Sequence, residues 1–186
     1  MKATKIRCLI LVTILLVWPS VEGVSAAEYS GSKCDALGSL AADPARRSNP
    51  VDFADIDAAG LIAACRDALG ADSGADSDIT AAGRYYLQLG RGQLKNGNAG
   101  DAIAAFNRAA ELQYPAGYFA LGIAYLLGDD VEKDDEKAIY YLRLALDNGV
   151  FWAAKALSNL HANKASKFYD IRLSTAYLAR FNENDL

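Results

Sequence analysis

The chain has 186 residues, of which 19 are basic, 23 acidic and one is histidine. A net charge of −4 makes nucleic acid and anionic membrane surfaces poor partners. Two cysteines beyond the N-terminal leader and a single His161 are too few ligands for a metal site, and no cofactor-binding loop is present.

The first 26 residues have the pattern of an export signal. Lys2, Lys5 and Arg7 precede the apolar run Cys8 to Val17, and small residues follow at Val24, Ala26 and Ala27. The run is too short to span a bilayer comfortably. Cleavage after Ala26 or Ala27 is expected, which places the protein in a periplasmic or secreted compartment with no stable membrane insertion. About 160 residues remain, enough for one domain with a core.

Residues 27–80 are expected to be a compact helical segment. CDALGSLAA predicts a short helix ending at Asp43-Pro44. Asp55 or Asp57 is placed to cap a second helix through IDAAGLIAACRDALG, ending at Gly70, and a polar linker follows. Cys34 and Cys65 lie one in each helix, and an exported chain with two cysteines points to one disulfide; two buried free thiols are the alternative. Residues 28–80 carry 10 acidic and 4 basic side chains, whereas residues 81–186 carry 12 of each. The acidic segment could therefore lie against a basic face further along the chain.

From residue 81 the pattern is helical and repeats over about 84–115, 116–152 and 153–186. Leu89-Gly90 returns as Leu121-Gly122 after 32 residues and as Leu157-Ser158 after 36 more. Ala102, Phe106 and Ala109 match Ala138, Leu142 and Ala145. The four extra residues of the second unit fall within LLGDDVEKDDEKA, Leu126 to Ala138. This acidic stretch lacks the central glycine of a calcium loop, and Lys133 sits among its acids. It is expected to be a turn, with Gly128 ending one helix and Asp134 capping the next. An all-α architecture follows: a short α-solenoid of about three helix-turn-helix units with a disulfide-linked helical cap.

The second unit resembles a Sel1-like repeat, a relative of the tetratricopeptide repeat. The residues that carry the likeness are Leu121, Gly122, Tyr125, Gly128, Val131, Asp134, Lys137, Ala138, Tyr141, Ala145 and Gly149; Asp130 stands where the pattern has its second turn glycine. The first unit is closer to the tetratricopeptide form, and in the third Ser158 and His161 replace Gly and Tyr. The resemblance implies a right-handed α-solenoid that contacts other proteins, and no particular reaction. Secreted cysteine-rich relatives linked to cell-wall or β-lactam chemistry are the alternative, but they carry a cysteine pair in each repeat and this chain does not.

In such a stack the first helix of each unit lines the concave side. The positions around the Leu-Gly landmark place Arg84, Arg91 and Lys95 at one end, Phe119 and Ile123 in the middle, and Trp152, Lys155 and Asn159 at the other. That groove would suit a protein or peptide bearing carboxylates and an apolar anchor. His161 is expected in a core or capping role, and no catalytic constellation is apparent.

Overall fold

The computed structural model describes residues 31–71, 78–129 and 131–184. The expected signal at 1–26, most of the polar linker and Asp130 lie outside the described residues. Eight α-helices are present among the described residues: α1 Lys33–Gly38, α2 Ala58–Ala71, α3 Ile79–Lys95, α4 Ala99–Glu111, α5 Pro115–Leu127, α6 Asp135–Asp147, α7 Trp152–Ala162 and α8 Ile171–Asn182. A single 3₁₀ turn spans Phe53–Asp55, and no strand occurs among the described residues.

The helix starts follow capping chemistry. Ser32 and Asp35 form a reciprocal capping box that opens α1. Asp78, Asp134 and Asp170 each accept a backbone N–H in the first turn of α3, α6 and α8. Pro115 occupies the first turn of α5, where its missing N–H costs nothing. Gly128 ends α5 in the left-handed region at φ 75°. The acidic stretch is thus a turn, and three of its acids pair within the chain: Asp134 with Lys137, Glu136 with Lys167, and Asp135 with the Ser166 hydroxyl.

Helices α3/α4, α5/α6 and α7/α8 form three stacked hairpins. The small residues of the repeat sit where helices cross. A Cβ on Gly122 would lie 2.7 Å from Leu142 Cγ, and one on Gly90 would overlap the Phe106 ring. Phe106, Leu121 and Leu142 are fully buried beside them. A hairpin cannot bury this apolar face by itself, so neighbouring hairpins share two continuous clusters, one centred on Leu87, Phe106 and Leu121 and one on Leu142, Leu146 and Leu157. His161 belongs to this framework: its Nδ1 donates to Phe168 O at 2.7 Å and its ring stacks on Tyr177.

The cap packs on α3 through Cys34, Ile56, Leu61, Ala64 and Cys65. Cys34 and Cys65 form a disulfide. Asp57, rather than Asp55, accepts the Gly60 N–H at the start of α2. One local difference from the sequence expectation matters. Helix α1 stops at Gly38 and does not continue through Leu40 to Ala42. Those two residues pack instead into the clusters of the hairpins, Leu40 against both and Ala42 against the second. Burial against the array outweighs the local helical tendency of CDALGSLAA.

Candidate protein interaction face

Because α3 packs on α5 and α5 on α7, the first helices of the three hairpins form one layer, as the repeat spacing implied. Across it runs an irregular strap, residues 39–57, that joins α1 to α2. The strap is held by Arg91 and Lys95, two of the cations that the sequence assigned to a partner.

Arg84 points at the cap. Its Nε donates to Asp35 Oδ1 at 2.7 Å, and the same carboxylate accepts from Gln88 Nε2 at 3.0 Å and from the Ser32 N–H at 2.9 Å. Asp35 is 0% exposed. Burial pushes its carboxyl pKa up, but the hydrogen bonds from Arg84, Gln88 and Ser32, with the charge of Arg84, outweigh burial and hold it below the usual value.

Among the described residues no carboxylate contacts Arg91. Its guanidinium clips the end of α1 and the strap by three carbonyls: Nη1 donates to Gly38 O at 2.5 Å and Ser39 O at 2.8 Å, and Nη2 to Val51 O at 2.7 Å. Burial lowers its pKa to about 10, against the opposing charge of Asp52, so it stays charged at neutral pH. Lys95 donates to Ala54 O at 2.7 Å and lies over the Phe53 ring. The donors of Arg84, Arg91 and Lys95 are therefore engaged inside the chain, and with the strap in place the two arginines are 6% and 7% exposed.

The strap is pinned further by Asp43, whose Oδ2 accepts from the Tyr114 hydroxyl at 2.5 Å while Oδ1 accepts from the Ala45 N–H at 2.9 Å. Burial raises the Asp43 pKa more than these bonds lower it. Burial beside Asp43 also pushes the Tyr114 phenol up.

Two clefts flank the strap. The larger, about 220 Å³, is lined by Leu40 and Phe53 of the strap, Leu87, Arg91 and Leu94 of α3, and Phe119, Ile123 and Leu127 of α5. The smaller, about 150 Å³, lies between Ala41, Ala42 and Pro44 of the strap and Phe151, Trp152 and Phe181. Phe119 and Ile123 thus share one cleft, and Trp152 edges the other, with Lys155 over both Trp152 and Phe181. Asn159 is exposed and lines neither cleft. Sequence reasoning missed Leu40 and Phe53 as cleft walls. A lone phenylalanine between Asp52 and Asp55 was the one signal that pointed to Phe53.

Residues 115–150 match the family model of the Sel1 repeat. This Sel1 repeat is the α5–α6 hairpin with the turn between its helices and the turn after α6. Over 68% of this chain and 50% of that one, the fold is similar to that of a Sel1 repeat protein from Oxalobacter formigenes, solved as a crystal structure, with a TM-score of 0.53 at 22% identity. The chain spans half the length of that neighbour. No curated protein matches the sequence. Sel1 repeats are in general protein-interaction scaffolds, and their fold is typically non-catalytic. Among the described residues no helix is long and apolar enough to cross a membrane, and no three His, Cys, Asp or Glu side chains converge as metal ligands.

Proposed function

We propose that this chain is an exported interaction protein of the bacterial envelope, an adaptor or regulator that holds a protein partner against the concave layer. The observation that carries the reading is the larger cleft. It is apolar, open to solvent, and built jointly by two hairpins and the strap, with Leu127 59% exposed and Phe53 48% exposed at its rim. Exposed apolar groups around a preformed concavity suit an apolar anchor from a partner. Lys95, whose ammonium lies over the ring of the cleft residue Phe53, favours an anchor flanked by a carboxylate. The export pattern of residues 1–26 and the Cys34–Cys65 pair support an oxidising compartment.

A photo-crosslinking side chain at Leu127, with a control at exposed Tyr140 on α6, tests the site in living cells. The expected result is one recurrent adduct from Leu127 that Ile123→Asp abolishes and that Tyr140 does not give. Equal adducts from both positions would overturn the reading.

A further inference from the structure

The strap lies across the concave layer as a bound segment would. Over residues 39–52 it has no helix or strand of its own. Its hold on the hairpins is of two kinds. Arg91 and Lys95 take backbone carbonyls, which any extended chain offers. Leu40, Ala42 and Ala45 make apolar contacts to the hairpin clusters, Val51 and Ile56 pack in the cap cluster on α3, and Asp43 takes the Tyr114 hydroxyl. The fit is incomplete. Among the described residues no protein group hydrogen-bonds the buried Ser39 Oγ or Arg46 Nε, both in the strap, so neither atom adds a protein contact that holds it down.

The strap is also enclosed. Cys34 on α1 and Cys65 on α2 close a ring that contains the whole of it. Cross-linking removes conformations in which the ends separate, so the strap re-seats as an intramolecular ligand before a free segment can compete.

We propose that the strap is a displaceable occupant of the concave face, latched by the Cys34–Cys65 disulfide, and that the partner segment admitted in its place shares its chemistry: an extended stretch with small apolar residues followed by a carboxylate. This rests on the reading of the concave layer as the partner site. The latch opens by exchange with a dithiol: the dithiol is oxidised to its disulfide, the Cys34–Cys65 bond is reduced, and each sulfur ends as a thiol. Both sulfurs are fully buried, so exchange waits on an opening of the cap.

The test uses the full chain, its Cys34→Ala/Cys65→Ala variant, and a labelled peptide with the sequence of residues 38–54. Hydrogen exchange at the Val51 N–H, bonded to Ser39 O, and at the Ala45 N–H reads strap opening. In the variant both amides are expected to exchange about a hundredfold faster, the effect of releasing a loop of this size, while α5 and α6 stay protected. The peptide is expected to bind the variant at least tenfold more tightly than the oxidised chain, and to lose about tenfold when its Asp43 equivalent is alanine. If the variant does not fold, dithiol reduction of the native chain gives the same comparison. Strap amides that exchange no faster, or only together with α5 and α6, overturn the proposal. So does a peptide that fails to bind the opened chain or binds both forms equally. The Leu127 crosslink is read on the latched chain, so loss of that adduct and failure of the peptide are separate results.

Discussion

Asp35→Ala puts the buried ion pair of the cap to the test. In the parent chain the carboxylate of Asp35 is fully buried and receives Arg84, Gln88 and the Ser32 N–H. Arg84 is 6% exposed, and Asp35 is the acid with which it pairs. Removing the carboxylate leaves a buried guanidinium uncompensated, which costs about 3–5 kcal/mol. A domain of this size has about 5–15 kcal/mol in all, so the loss is large. It also opens the capping box of α1, because Asp35 is its reciprocal partner. The pair itself need not be net stabilising. Asp35→Leu combined with Arg84→Met removes both charges and is expected to recover most of the loss, to within about 2 kcal/mol of the parent. Urea unfolding followed by circular dichroism measures all three chains. The pH dependence supplies an independent check. The Asp35 pKa is lowered from 3.8, so its stabilisation is present above that pH and is lost as pH falls through the folded value. The gap between parent and Asp35→Ala should therefore be full at neutral pH and close in strong acid. A cost below about 1 kcal/mol for the single substitution, or a double variant no more stable than Asp35→Ala, would refute the reasoning.

Two further predictions concern other parts of the fold. Gly90→Ala drives a methyl group into the Phe106 ring and should cost about 1–3 kcal/mol, whereas a Cβ on Gly100 of α4 meets nothing and Gly100→Ala should gain about 0.5–1 kcal/mol; thermal unfolding of the two variants decides. Asp43 titrates in the opposite sense to Asp35. Its pKa is raised from 3.8, so its contribution is present below that value and is lost as pH rises through the folded one. Asp43→Asn removes this decline, and a Tm profile from pH 3 upward should rise relative to the parent as pH increases.

The repeat architecture was legible because packing leaves a spacing. Leu89-Gly90 and Leu121-Gly122 mark where helices cross closely, and Gly90 does face Phe106 while Gly122 faces Leu142. The turn at Gly128 and the cap at Asp134 were legible for the same reason: a left-handed residue and an N-terminal acceptor each demand a narrow set of side chains. The disulfide followed from two cysteines on neighbouring helices. The strap was not legible. Arg91 recognises it through carbonyls of Gly38, Ser39 and Val51, and a carbonyl is the same at every residue. Leu40 and Ala42 carry a helical pattern that their burial overrides.

Arg84, Arg91 and Lys95 show what a row of cations on one helix face can and cannot disclose. Their spacing announces that acceptors will stand opposite. It does not say which chain the acceptors belong to, because the helix presents the same donors to a partner and to its own N-terminal segment. The acidic surplus of residues 28–80 was the evidence for the second source, yet among the described residues only Asp35 meets these cations with a carboxylate. The others receive neutral carbonyls. Charge complementarity brought the right segments into consideration, and hydrogen-bond geometry then set the contact. Arg91→Glu with Lys95→Glu, which reverses the charge of this face, would thus release the strap before it touched any partner. Substitutions at Ile123 and Leu127, whose side chains the strap leaves uncovered, separate the two effects.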